Sequence, residues 1–375
     1  MDFSFFQTLF SGTFISFNLG NLVMLCIGLM LIFLAIKKEY EPVLLLPIGF
    51  GCILANLGMA ATPEGSGFLS VLYRAGIESE LFPLMIFIGV GGMIDFSPLL
   101  SQPYLSLLGA AGQFGIYGVF ILATLLGFSL NEAASIGVIG AIDGPTAIFV
   151  AGKLAPKMLA PIAVAAYSYM SLIPIIQPPL MKLLTTRKER LIRMEYSPKV
   201  ISKKALIIFP IMVTIIISVL VPDAAPLIAA LMLGNLLKES GVVERLNQSA
   251  QNEIINIATL FLGLTIGATM TAESFLQLDT LLILGLGLLA FIMDTIAGLL
   301  FGKLMAFITG GKINPLIGAC GISAFPMAGR LSAKMAQDED FENFILMHAM
   351  GSNTAGQLGS VIAGGLLLSL VLNTV

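Results

Sequence analysis

The sequence predicts an all-α polytopic membrane protein made of two transmembrane repeats, with broken or re-entrant helices in each, and three observations carry that expectation. Of the 375 residues, 57% are hydrophobic and 11% charged, with a mean hydropathy of +0.98, against about 25% charged in an ordinary soluble domain. Apolar segments near the roughly 20 residues needed to cross about 30 Å of hydrocarbon recur along the whole chain. Finally, an ordered set of glycine-rich motifs in the first half returns in the second.

Composition also removes several function classes. The three cysteines, Cys26, Cys52 and Cys320, show no CxxC spacing and His348 is the single histidine, which argues against a zinc or iron–sulfur centre. No Walker A loop, dinucleotide fingerprint or GxSxG elbow occurs. The energy source is therefore an ion gradient, light or a reaction completed with another subunit, and nothing argues for a chromophore. The net charge of −3 identifies no partner, and no nucleic-acid partner is expected.

Taken in order, residues 1–18 lack a positive n-region and a small-residue cleavage site, so they read as a short interfacial segment or the lead-in to the first span. The first repeat, 19–184, contains apolar segments at about 19–36, 43–61, 81–94, 104–128, 134–151 and 159–184. Residues 185–204 form the most charged stretch, and their Lys and Arg content places this linker in the cytoplasm by the positive-inside rule. The second repeat, 205–375, has segments at about 205–221, 223–237, 254–272, 280–308, 313–329 and 343–372.

The repeat is read from two alignments across the linker. FIGVGGMIDFSPLL from Phe87 matches FLGLTIGATMTAESFL from Phe261, and IGAIDGPTAIFVAGKLAPKM from Ile139 matches IGACGISAFPMAGRLSAKM from Ile317. If 81–94 and 254–272 dip into the membrane and return, each half has five crossings and the repeats are inverted, as in many secondary transporters. Six full crossings per half would make them parallel.

The chemistry centres on Asp143 in GAIDGPTAIF. An ionised carboxylate at the bilayer centre costs roughly 2.5 to 3.5 kcal/mol on insertion scales, so such residues mark ion or proton pathways. Its flanking Gly and Pro break the helix and free carbonyls for a cation; the competing reading is a helix-capping carboxylate beside a cavity. Across the repeat, Asp143 and Thr146 fall opposite Gly321 and Ser323. Asn314 beside Pro315, and Ser352, Asn353, Thr354 and Ser360 in GSNTAGQLGS, add hydroxyl and amide oxygens. Together they form an oxygen set suited to a hard monovalent cation such as Na⁺, although interhelical hydrogen bonding is the simpler role for each alone. Tyr167 and Tyr169 offer cavity-facing hydroxyls. Asp95 reads as a membrane-boundary residue, Asp294 as a second intramembrane carboxylate, and His348 as a packing residue rather than a proton relay.

The blocks GAIDGPTAIF, LAPIAVAAYSYMSLIPIIQPPLMK, RKERLIRM, INPLIGACGISAFPMAGR and LMHAMGSNTAGQLGS resemble the β subunit of the sodium-pumping, biotin-dependent decarboxylases. Oxaloacetate, methylmalonyl-CoA, glutaconyl-CoA and malonate systems belong to that family, and the resemblance runs from about residue 20 to the end. It implies a multi-pass subunit of the bacterial cytoplasmic membrane that decarboxylates carboxybiotin, exports Na⁺ and consumes a proton. The implied partners are a soluble carboxyltransferase α subunit, a biotinyl carrier protein that supplies the carboxybiotin, a small membrane-anchor subunit, the lipid bilayer and further copies of the chain.

Residue by residue, the resemblance implies Na⁺ and proton binding at Asp143, Tyr169, Asn314, Gly318, Ser323 and Asn353, with Asp143 catalytic and with Asp143, Asn314, Ser323 and Asn353 as the metal ligands. Two blocks depart from the family pattern: GAIDGPT replaces GGADGPT, and MGSN replaces MGPN, where Ser352 in place of proline softens the helix break beside Asn353. The stretch ATPEGSGFLSVLYRAGIESE lacks the hydrophilic insertion of some oxaloacetate members, which points to an acyl-CoA system. The rival without a carrier is a secondary transporter such as a Na⁺/H⁺ antiporter, and a plain membrane anchor leaves Asp143 without a purpose.

Overall fold

The computed structural model describes residues 18–39, 41–62, 65–195 and 200–374, and among them all regular structure is helical. The predicted interfacial segment lies outside the described residues except for Asn18, whose Oδ1 accepts from Asn21 N at 2.9 Å and caps the first helix.

In chain order the helices are α1 Leu19–Lys37, α2 Pro42–Leu54, α3 Phe68–Leu72, α4 Leu81–Met93, α5 Leu105–Leu125, α6 Leu130–Gly137 and α7 Gly144–Leu154. They continue with α8 Leu159–Leu184, α9 Lys203–Leu220, α10 Ala225–Ser240, α11 Glu244–Thr269, α12 Leu278–Ile308, α13 Met327–Glu339 and α14 Leu346–Leu372. Seven described helices are long and apolar enough to span a membrane, and two bent helix pairs raise the number to nine. Short 3₁₀ turns, Val138–Ala141 and Pro315–Cys320, stand where the sequence showed single apolar segments.

Packing exchanges elements between the halves. The second helix of each half lies against a helix of the other: α2 on α11, and α10 on α4. At both crossings backbone meets backbone, because a Cβ on Gly51 would lie 2.2 Å from Leu264 O and one on Gly234 would lie 1.9 Å from Ile88 O. Small residues allow such approach where lipid gives helices little hydrophobic reason to associate. The same exchange recurs with α8 on α12 and α14 on α5.

The helix breaks fall where Asp143 and Pro315 predict them, but one of the two expected dips is absent. The expected dip at 254–272 is not formed, since residues 254–269 continue the 26-residue α11 without a return. The polar turn containing Glu244, Gln248 and Gln251 extends that helix ahead of its apolar part, which is all that hydropathy registers. The other expected dip, 81–94, is α4, the second arm of a helix pair bent by 57°. The chain instead turns back after Pro315–Cys320. Asn314 Nδ2 donates to the carbonyls of Arg190 and Ile192 at 3.0 and 2.9 Å, and Asn343 Nδ2 donates to the same two carbonyls at 3.0 and 3.2 Å. Both ends of the 314–343 segment therefore sit on the linker, and the segment is a hairpin with its tip at residues 321–326.

Ion pairs hold that junction. Arg190 Nη2 lies 2.7 Å from Glu339 Oε1, Arg193 Nε lies 2.7 Å from Asp340 Oδ2, and Lys303 Nζ lies 3.3 Å from Glu189 Oε1. Hydrogen bonds from Arg190 and Arg193 hold the carboxyls of Glu339 and Asp340 below their ordinary range. The basic linker is thus docked on the acidic end of α13.

Candidate cation site at two hairpin tips

Asp143 lies at a second chain break. Ile142 adopts a left-handed conformation at φ 50°, strained for a β-branched residue, and α7 restarts with Pro145 near its N-terminus, where a missing N–H costs nothing. Asp143 takes the N-cap position, but its side chain makes no capping hydrogen bond. It is turned instead toward other hairpin and helix groups. Its Oδ2 accepts from Thr146 Oγ1 at 2.7 Å and from Gln357 Nε2 of α14 at 3.1 Å.

The tip of the 314–343 hairpin meets it there. Ser323 N donates to Ala141 O at 3.2 Å, so the two breaks touch through their backbones. Asn353 Nδ2 donates to Ile322 O at 2.8 Å and fixes the second tip to α14. Gln113, at the break within α5, donates through Nε2 to Gly321 O at 3.0 Å.

Three oxygens close to this meeting point, Ser323 Oγ, Tyr167 OH and Asn353 Oδ1, are buried without a hydrogen-bond partner among the described residues. Ser323 Oγ lies beside the Asp143 carboxylate without completing a hydrogen bond. Unsatisfied buried oxygens are uncommon and costly in a native structure, and an oxygen-binding cation would satisfy them. Tyr167 stacks so tightly here that a Cβ on Gly144 would fall 2.0 Å from its ring, so this position requires glycine.

A cavity of about 240 Å³ reaches the carboxylate, with Glu41, Asp143, Tyr167, Gln251, Ser323 and Gln357 among its walls and neither Lys nor Arg. A cation entering it meets only neutral dipoles and negative charge. A second cavity, of about 490 Å³, shares Val90, Met93 and Phe325 with the first and is edged by Arg330 and Thr354.

Of the residues singled out in the sequence, Asp143, Ser323 and Asn353 come together. Asn314 does not join them: its amide donates to the linker carbonyls and its Oδ1 accepts from Leu316 N at 3.1 Å. Tyr169 OH donates to Leu284 O of α12. Gly318 packs on α12, where its Cβ would lie 2.0 Å from Gly298 O. Asp95 is exposed and caps its own turn through Ser97 N at 2.8 Å, whereas His348 is buried with Nε2 3.2 Å from Gln102 Nε2. Gln357 was missed, and its one sequence signal is the four-residue spacing from Asn353, which puts both on one helix face. Tyr167, two residues from the tyrosine chosen, supplies the hydroxyl that faces the cavity.

The sequence of the chain is similar to known proteins along nearly its whole length. Residues 20–371 match the family model of the Na⁺-transporting oxaloacetate decarboxylase beta subunit. The chain is 52% identical over 360 residues to the methylmalonyl-CoA decarboxylase subunit beta of Veillonella parvula, covering 96% of this chain and 95% of the relative. It is 51% identical over 358 residues to the glutaconyl-CoA decarboxylase subunit beta of Acidaminococcus fermentans, with 96% and 95% covered. Identity to the oxaloacetate decarboxylase beta chain of Klebsiella pneumoniae is 46% over 414 residues, covering 94% and 95%. A match of this length and identity means that the chain belongs to the family of the Na⁺-transporting oxaloacetate decarboxylase beta subunit.

Proposed function

We propose that the chain decarboxylates carboxybiotin delivered by a partner subunit and couples that reaction to Na⁺ export, with Asp143 binding Na⁺ and H⁺ in alternation. The observation that carries the site is a buried carboxylate between two hairpin tips, held by neutral donors and facing unpartnered oxygens. A carboxylate takes a metal ion or a proton but not both at full strength, because they compete for one charge. Ser323, Asn353 and Tyr167 complete the cation's oxygen shell. Tyr169, Asn314 and Gly318 support it from a distance, by holding the hairpins on α12 and on the linker.

In decarboxylation the C–N bond of carboxybiotin breaks, CO₂ leaves, and the ureido nitrogen keeps the electron pair and takes up a proton. A proton arriving at Asp143 displaces Na⁺ toward the outside and is the source of that proton. Moving one charge against 100 mV costs about 2.3 kcal/mol, which decarboxylation must supply.

The anionic carboxybiotin head would seat on Arg330 in the second cavity, which adjoins the Asp143 cavity and also carries Asp95 in its wall. A hydrogen bond to a charged group contributes about 1.5 to 3 kcal/mol. Arg330→Gln should therefore raise the carrier concentration for half-maximal decarboxylation by roughly 10- to 100-fold, and an unchanged value in a carrier titration would remove Arg330 from the seat.

The exchange of helices between halves supports inverted repeats, with the α6–α7 hairpin entering from the face opposite the linker. The working assembly contains the carboxyltransferase, the biotinyl carrier, the membrane-anchor subunit and further copies of this chain. An acyl-CoA acid is the favoured upstream substrate, because the methylmalonyl-CoA and glutaconyl-CoA relatives are 52% and 51% identical to the chain and the oxaloacetate relative 46%.

Uptake of radioactive Na⁺ into inverted vesicles holding the whole complex tests the proposal. Uptake should start on addition of the decarboxylase substrate and stop with avidin, which sequesters biotin. Uptake that follows an imposed pH gradient and ignores avidin would instead make the chain a Na⁺/H⁺ antiporter.

A further inference from the structure

Asp143 has a counterpart that the proposed mechanism leaves unused. Asp294, in the middle of α12, is 0% exposed, and the two are the buried acidic side chains among the described residues. Its Oδ1 accepts from the backbone N–H of Gly115, near the N-terminus of the run Phe114–Leu125 that restarts α5 after its break. That helix end favours a negative charge. Its Oδ2 is buried and has no partner. The unpartnered oxygen is turned toward the Val138–Ala141 turn, where a Cβ on Gly140 would lie 3.0 Å from it, three residues before Asp143.

Among the described residues, no charged group faces Asp294 from the elements around it. On α5, Tyr117 OH donates to Ala363 O at 3.4 Å; on α8, Tyr169 OH donates to Leu284 O; and on the Pro315–Cys320 turn, Cys320 Sγ lies 3.0 Å from Ser332 Oγ. Glu132 of α6 caps its own helix through Ser129, Lys182 is exposed near the linker end of α8, and Lys303 Nζ donates to Leu184 O at 3.1 Å.

The two oxygens thus pull in opposite directions. The helix end supports a carboxylate at Oδ1, whereas an ion with Oδ2 dry and unpartnered in the bilayer is strongly penalised. Which form prevails depends on whether the Val138–Ala141 turn covers Oδ2. We propose that Asp294 is a second proton-binding site, protonated while that turn is seated on α12 and deprotonated when the turn lifts and water reaches Oδ2. On release the O–H bond breaks, the proton passes to water, and the carboxylate stays on the Gly115 N–H. Because Asp143 follows the same turn, the proton on Asp294 reports and biases the position of the cation site. The inference rests on the reading of Asp143 as that site.

Infrared spectroscopy of the whole complex tests it without turnover. In the Asp143→Asn complex at neutral pH, Asp294 is the remaining buried carboxyl among the described residues, so a protonated-carboxyl C=O band that resists exchange into D₂O is expected. Absence of that band overturns the proposal. Turnover gives an independent arm. Asp294→Asn keeps the shape and the acceptor for Gly115 N–H but cannot lose a proton, so Na⁺-dependent decarboxylation should fall at least tenfold and lose one titrating group from its pH profile. A variant with the wild-type rate and pH profile would make Asp294 a neutral hydrogen-bonding residue and end the proposal. Loss of avidin-sensitive Na⁺ uptake in the wild-type complex would count against the sodium-pump reading itself and leave the infrared result untouched.

Discussion

Replacing Asp143 by Asn is expected to abolish Na⁺ uptake and carboxybiotin decarboxylation together. The substitution keeps the side-chain volume and an oxygen able to accept from Thr146 Oγ1 and Gln357 Nε2, so the hairpin tip keeps its shape. It removes the charge from a site whose other oxygens are neutral. Uncoupling a buried charge from its partner costs about 3 to 5 kcal/mol, roughly a hundredfold to several thousandfold in cation affinity. With neither Na⁺ nor a proton to exchange, decarboxylation loses its proton route as well as its transport step. Assay of CO₂ release and Na⁺ uptake on one vesicle preparation checks both. A variant that still decarboxylates at the normal, Na⁺-stimulated rate would show that Asp143 does not couple the two.

Gly318→Ala is expected to destabilise the protein by about 3 kcal/mol, with the Na⁺ concentration for half-maximal activity unchanged in the fraction that folds. The added Cβ would fall 2.0 Å from Gly298 O and 2.7 Å from Gly298 C, and neither belongs to a side chain that could rotate away. Relief requires lifting the Pro315–Cys320 turn off α12. Gly152→Ala is the internal control, because a Cβ there meets nothing within 4 Å and mid-helix alanine is favoured over glycine. Thermal unfolding in detergent should separate the two variants clearly. Equal stability combined with a shifted Na⁺ dependence would make Gly318 a backbone ligand of the cation, as the family resemblance implies.

The contrast between Asp143 and Asn314 explains what was legible in the sequence. Asp143 stood out because a carboxylate in an apolar run has few explanations in a bilayer. Asn314 looked equally suggestive beside Pro315, yet its partners are linker carbonyls more than 120 residues away in sequence, and local pattern carries no trace of such docking. The apolar runs located most helices because spanning segments must satisfy their own backbone. The start of α11 was missed because polar residues continue a helix without changing hydropathy in its favour. The break in the α6–α7 hairpin was legible in the Gly and Pro that flank Asp143, whereas the left-handed Ile142 beside it leaves no compositional mark. Gln357 was overlooked because an amide among small residues reads first as glue between helices.

The single backbone hydrogen bond from Ser323 N to Ala141 O gives the site an unusual mechanical character. A bond of this kind contributes about 0.5 to 1.5 kcal/mol net, so the side-chain bonds of Asn353, Gln113 and Gln357 carry most of the hold on the two tips. On the proposed reading of Asp143, a cation between its carboxylate and Ser323 Oγ is one more tie across the two tips, so cation release and loosening of the hairpins are a single event.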